Sequence, residues 1–193
     1  MDAIMPEISN GRRLFIAISV EGELKEAILA WQADHFSWPV RWLSGDNLHI
    51  TVVAPWVEAN LDSVIGQLES FAQKPRVPFY LRFFKVVFGP NRFAPRLVWS
   101  EGRAIKPILD LKDDLEAALG RPDPRFYRLH LTLARFQQTD FGPAGLPNLF
   151  DRVDWGQEVR GFTLYESILK PEGAGSAGSR QAEYIKIKDF NFS

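Results

Sequence analysis

The sequence predicts an α+β fold made mostly of antiparallel sheet. Strand-like segments repeatedly follow one another with no helix between them, in the order β α β β α β β α β β β, whereas a doubly wound parallel sheet needs a crossover helix after each strand. Hydrophobic residues make up 46% and charged residues 24% of 193, enough apolar surface for a sizeable core and too little charge for a disordered chain. No linker cuts the chain, so residues 1–193 read as a single domain, with residues 1–11 expected to be flexible.

Each element has its own signal. Residues 13–20 (RLFIAISV) are a short apolar run and read as a strand. Leu24, Ile28, Trp31 and His35 then recur at helical steps of four, three and four. Arg41–Leu43 and Leu48–Val53 read as strands joined by the turn-forming Ser44, Gly45, Asp46 and Asn47. Asn60 is placed to cap a helix whose apolar face is Leu61, Val64, Leu68 and Phe71. Residues 78–88 and 96–100 are strands around a Gly-Pro-Asn loop. Ile108, Leu111, Leu115 and Ala118 mark a third helix that stops at Gly120. Leu129–Phe136 is a strand, and residues 139–157, with several Gly and Pro, read as a long loop holding at most a short helix. Gly161–Leu169 and Glu183–Phe190 close the fold as strands. Gly173 to Gly178 matches GxGxxG but opens no helix after a strand, so it reads as a loop and not a dinucleotide site.

Composition excludes several kinds of chemistry. With no cysteine there is no disulfide, thiolate zinc site, iron–sulfur cluster or cysteine nucleophile. Three histidines and no defensible acidic cluster give no reason to expect a metal or a cofactor. Lys plus Arg is 23 against 24 Asp plus Glu, so the net charge of −1 does not coat nucleic acid, although a local basic groove can hold one phosphate. No apolar run reaches the roughly 18–20 residues of a membrane span, and the N-terminus lacks a basic-then-apolar signal pattern. The expected location is the cytoplasm, without membrane or obligate protein partner.

One feature repeats. Residues 48–53 are Leu-His-Ile-Thr-Val-Val and residues 129–134 are Leu-His-Leu-Thr-Leu-Ala. With four threonines in the chain, a given histidine has one two places on with a chance of about 2%, so two of three histidines doing so is roughly a one-in-a-thousand event. In a strand, residues i and i+2 share a face. His49 and Thr51 therefore point one way and Leu48, Ile50 and Val52 the other; His130 and Thr132 repeat this over Leu129, Leu131 and Leu133. A lone strand histidine is ordinarily a satisfied structural group, and His35, on an apolar helix stripe, is read that way. The pairing carries the functional reading. Two imidazoles can move a proton on and off opposite sides of a phosphorus while the hydroxyls hold its oxygens, so phosphoester cleavage needs neither metal nor nucleophilic side chain.

With these paired motifs the chain resembles the 2H phosphoesterases, and within them the RNA 2′,3′-cyclic phosphodiesterases, also called 2′-5′ RNA ligases. RLFIAI at 13–18, VRWLSGDNLHIT at 40–51, PRLVWS at 95–100, LHLTLARF at 129–136 and LYESIL at 164–169 stand in family order, so the resemblance covers residues 12–190. It implies a bilobal fold of two pseudo-symmetric antiparallel sheets with outer helices around a central groove. It implies opening of a 2′,3′-cyclic phosphate to a 2′-phosphate, with His49 as general acid and His130 as general base. Thr51, Thr132 and Arg135 would bind phosphate. Strict alternation puts Arg135 on the leucine face unless the strand ends or bulges there. Where the family often has Arg-Phe-Leu-Gly after its first motif, this chain has Val53-Ala54-Pro55-Trp56, so Ala54 replaces the base-facing Phe and Trp56 is the candidate substitute. Arg128 replaces the usual approach to the second motif and adds charge on the His130 face.

The implied partners are RNA ends or small cyclic nucleotides, with tRNA halves as one case. Cleavage or formation of 2′-5′ linkages would use the same acid–base pair. A non-catalytic module that binds RNA ends or nucleotides is the alternative from another class.

Overall fold

The computed structural model describes residues 11–91, 93–169 and 182–193; the expected flexible segment, apart from Gly11, and the Gly173–Gly178 loop lie outside them. Two antiparallel sheets form. The first has the order β3-β1-β8-β9, from β3 (His49–Glu58), β1 (Arg12–Ser19), β8 (Gly161–Leu169) and β9 (Ala182–Asn191). The second has the order β2-β6-β5-β4-β7, from β2 (Arg41–Trp42), β6 (His130–Arg135), β5 (Leu97–Gly102), β4 (Phe79–Gly89) and β7 (Phe150–Val159). This is the predicted α+β class, each sheet carrying one His-x-Thr motif.

Three helices cover the apolar faces. Helix α1 (Gly22–Asp34) buries Leu24 and Ile28, and the buried amide of Gln32 donates to the carbonyls of Leu43 (3.2 Å) and Leu133 (3.1 Å). That satisfies a polar group in the core and pins α1 to the second motif strand. Helix α2 (Leu61–Ala72) starts where Asn60 accepts a hydrogen bond from the Ser63 amide, 3.0 Å, and buries Val64, Leu68 and Phe71. Helix α3 (Lys106–Ala118) buries Ile108, Leu111 and Leu115 and ends before Gly120, whose φ of +64° favours glycine. Ala118, expected on that face, is exposed; Lys112 and Glu116 are buried instead as an ion pair of 2.8 Å.

A single apolar core lies behind both sheets, with Ile16, Ile50 and Leu164 from one and Phe83, Val98 and Leu131 from the other meeting all three helices. The opposite faces of the sheets border the groove. There Phe15, Ala17 and Tyr165 form a small separate cluster.

One element differs from expectation. Residues 139–157 hold a short 3₁₀ segment (Gln138–Ala144) and then the start of β7, an edge strand of ten residues. Its outward residues, Phe150, Arg152, Asp154 and Glu158, are exposed, which masks the alternation of Val153, Trp155 and Val159 on the other side. No described helix is long and apolar enough to cross a membrane.

The two motif strands share an irregularity. Ala17 faces Thr51 but Ile16 faces Val53, so Val52 is an extra residue in β3. Trp99 faces Thr132 but Val98 faces Ala134, so Leu133 is an extra residue in β6. Each bulge falls one residue after the motif threonine and resets the alternation. Val52 and Val53 are both buried, as are Leu133 and Ala134. The next residues return to the site: Arg135 bonds Tyr184, and Ala54 lines a cleft with Thr51 and His130. Strand β3 alone carries a second shift, between Val53 and Trp56, which face Ile16 and Leu14.

Candidate active site

His49 and His130 are the first residues of β3 and β6. Their side chains are held in the same way. His49 Nδ1 lies 2.7 Å from the carbonyl oxygen of Asn47, and His130 Nδ1 lies 2.8 Å from that of Arg128, each two residues upstream. A carbonyl only accepts, so Nδ1 carries the hydrogen in both neutral rings and Nε2 is left as the free basic nitrogen. Aromatic walls fix the ring planes. His49 contacts Tyr184 (4.8 Å between centroids) and Phe15 (5.1 Å), and His130 contacts Trp99 (4.7 Å).

Electrostatics keep both rings neutral. Burial is the main cause that lowers the His49 pKa to about 4; the bond to Asn47 opposes it, and the Arg135 charge, with repulsion from His130 whenever that ring is protonated, pushes it further down. Burial also lowers the His130 pKa, with Arg128 and Arg135 adding to the effect, while its backbone bond and the Glu101 carboxylate oppose it. His49, His130 and Arg135 thus sit in one field, although they come from different lobes.

Thr51 follows His49 on β3 of one sheet, and Thr132 and Arg135 follow His130 on β6 of the other. Thr132 is buried and Thr51 half-buried beside Tyr127, whose hydroxyl donates to the Thr51 carbonyl at 2.9 Å. Burial raises the Tyr127 pKa well above its ordinary value, so it remains a donor. The bulge at Leu133 answers the question alternation left open: Arg135 faces the groove, and its Nη2 donates to the Tyr184 hydroxyl at 3.2 Å. Arg128 lies over the Trp99 ring, 5.5 Å from its centroid, and donates to the Pro90 carbonyl at 3.2 Å. Trp56 is not brought to the histidines; it packs on the core, with the Arg121 guanidinium 5.5 Å from its ring. His35 stacks on Trp31 at 4.0 Å and bonds the Trp31 carbonyl at 2.8 Å, a structural role.

Two residues escaped the sequence reading. Arg41 of β2 is registered directly opposite Arg135, and burial together with the Arg135 charge lowers its pKa. Tyr184 of β9 joins the Arg135 guanidinium to the His49 ring. Arg41 belongs to the segment just ahead of the first motif, so it had a signal in sequence. Tyr184 lies 135 residues from His49 in the chain and had none.

A cleft of about 460 Å³ adjoins the site and is lined by Thr51, Ala54, Trp99, Phe126, Arg128 and His130, among others. A larger one, about 690 Å³, lies between the start of α1 and the β7–β8 turn and is lined by neither histidine. Its hydroxyls are engaged with one another: Ser19 bonds Tyr165 (2.8 Å) and Thr163 (3.1 Å), and Thr163 donates to Asp189. Among the described residues no three His, Cys, Asp or Glu side chains come together as a metal site. The arrangement that remains, two Nε2 atoms with two hydroxyls and two guanidiniums, suits acid–base chemistry on a phosphate.

Residues 21–167 match the family model described as the 2′-5′ RNA ligase superfamily. The chain is 28% identical over 168 residues to the RNA 2′,3′-cyclic phosphodiesterase of Archaeoglobus fulgidus, covering 83% of this chain and 94% of that one. It is 27% identical over 169 residues to the protein of the same name from Escherichia coli, covering 83% and 89%. Among solved structures it is similar to Escherichia coli LigT complexed with 3′-AMP, with a TM-score of 0.67, 25% identity, and coverage of 94% and 98%. A Thermus thermophilus protein shares the fold, with a TM-score of 0.72 at 23% identity over 93% and 97% of the chains.

Proposed function

This chain belongs to the 2′-5′ RNA ligase superfamily, and from that premise we propose that it hydrolyses an RNA or nucleoside 2′,3′-cyclic phosphate to a 2′-phosphate, without a metal ion, through His49 and His130. The observation that carries the reading is the matched pair of imidazoles, each committed at Nδ1 to a carbonyl two residues back and each left with Nε2 free. Relatives named RNA 2′,3′-cyclic phosphodiesterase over most of the chain support the reaction type.

In the proposed reaction, His130 Nε2 takes a proton from water as the water oxygen bonds to phosphorus. The bond from phosphorus to the 3′ oxygen breaks, and His49 Nε2–H delivers a proton to that oxygen. Thr51, Thr132, Arg135 and Arg41 hold the non-bridging oxygens. Burial and Arg135 favour neutral His49 in the free protein, so the acid role requires the incoming phosphodiester anion, whose charge favours the imidazolium.

Incubation with 2′,3′-cyclic AMP in EDTA, resolving 2′- from 3′-AMP, tests this. The expected product is 2′-AMP, and His49→Ala and His130→Ala each lose at least about a hundred-fold in kcat. Activity abolished by EDTA, or retained in both variants, overturns the mechanism. Binding of 2′-AMP by wild type without turnover would assign the groove to the non-catalytic module.

A further inference from the structure

The two motif strands match from the histidine through the first bulge and then diverge, and the ends of the groove differ with them. Five residues past His130, Arg135 stands at one end with Arg41 and Tyr184. Five residues past His49 stands Ala54, beside a second register shift that β6 lacks, and it lines a cleft with a methyl group where the other strand has a guanidinium. What lines the space at that end is aromatic: the cleft of about 460 Å³ includes Trp99 and Phe126, together with Thr51, Arg128 and His130.

Phe126 is 92% exposed. A phenyl ring left in water is uphill by the free energy of burying it, and here the segment that carries it is anchored on both sides. The Asp123 amide donates to Glu116 Oε2 at 3.0 Å, and Glu116 is itself paired with the buried Lys112. Arg125 Nε donates to the Asp123 carboxylate at 2.8 Å, and Tyr127 is tied to the Thr51 carbonyl. The loop therefore holds an aromatic face at the mouth of a cleft that also contains a catalytic-motif histidine and threonine. Arg128, its guanidinium 5.5 Å from the Trp99 ring centroid, adds a cation at the same cleft.

We propose that this cleft receives the nucleobase adjoining the reacting phosphate and that Phe126 is its stacking face. The proposal rests on the cyclic-phosphate reading of the site and assigns a specific residue of this chain, Phe126, to the base of that substrate. Every base has a π face, so stacking on Phe126 gives affinity with little discrimination among bases.

The test is equilibrium binding of 2′-AMP and of inorganic phosphate to wild type, Phe126→Ala and Phe126→Trp, beside turnover of 2′,3′-cyclic AMP and of the base-free glycerol 1,2-cyclic phosphate. Phe126→Ala is expected to weaken 2′-AMP about ten-fold, to leave inorganic phosphate and the base-free substrate unchanged, and to be rescued by Phe126→Trp. Loss of phosphate and 2′-AMP affinity in equal measure, or no loss of either, overturns the proposal. If wild type turned over neither cyclic phosphate while 2′-AMP binding still depended on Phe126, the base site would stand and the hydrolytic reading would fall.

Discussion

An imidazole bonded at Nδ1 to a backbone carbonyl has lost its choice of tautomer, and both motif histidines are in that state. Burial and Arg135 disfavour a proton on both, and they differ in that Glu101 opposes the shift at His130 while no carboxylate does so at His49. Arg135 in turn lies opposite Arg41 across a pair of strands. Like charges in that register repel, and an anion between them relieves the repulsion. Arg41→Gln is therefore expected to weaken inorganic phosphate about ten-fold and to shrink the phosphate-induced rise in Tm, which thermal melts with and without phosphate measure. An unchanged phosphate shift would remove Arg41 from the site.

At the scale of elements, the bulges after Thr51 and Thr132 decide which residues reach the groove. The sequence shows that His49 and Thr51, or His130 and Thr132, share a face, because a period of two needs only their spacing. It does not show the extra residue at Val52 or Leu133, which depends on how β1 and β5 pair, so Arg135 could be placed only once the partner strand was known. Strand β7 escaped for a related reason: an edge strand takes charged residues on its open side, and Asp151, Arg152 and Asp154 read as loop. Apolar signals made β1, α2 and α3 plain. Gly89 tests how tightly these elements hold the site. A Cβ there would stand 2.2 Å from Trp99 Cε2, and Trp99 is the ring against His130. Gly89→Ala is expected to cost about 1–3 kcal/mol through overpacking and to lower kcat, read from urea midpoints and turnover. A variant with wild-type stability and activity would show that Trp99 does not fix His130.

The molecule as a whole places two desolvated histidines where two lobes meet, and that has a cost that depends on pH. His49 has a pKa of about 4 in the fold against an ordinary value of 6.5, so the unfolded chain binds the proton more readily. A depressed folded pKa of this kind contributes stability that is complete above about pH 6.5 and is lost as pH falls from there toward 4. By pH 5.5 the loss from His49 is on the order of 1 kcal/mol, and His130 adds in the same direction. Carboxylates held low by ion pairs, such as Asp123 at about 2, release their contribution only in more acid solution, so the window from pH 7.5 to 5.5 belongs to the histidines. Urea unfolding across that window is expected to show wild type losing stability and His49→Gln losing less; parallel curves would mean that His49 is not desolvated. The same linkage governs the bound state. An anion in the groove favours the imidazolium that burial and Arg135 oppose, so binding of a diester monoanion such as dimethyl phosphate, which does not itself titrate here, takes up a proton, and its affinity rises as pH falls from 7.5 toward 6. Binding titrations in two buffers of different ionisation enthalpy measure that uptake directly. Its loss in His49→Gln with retention in His130→Gln would place the proton on His49, where the acid role requires it, and the opposite pattern would exchange the roles of the two histidines.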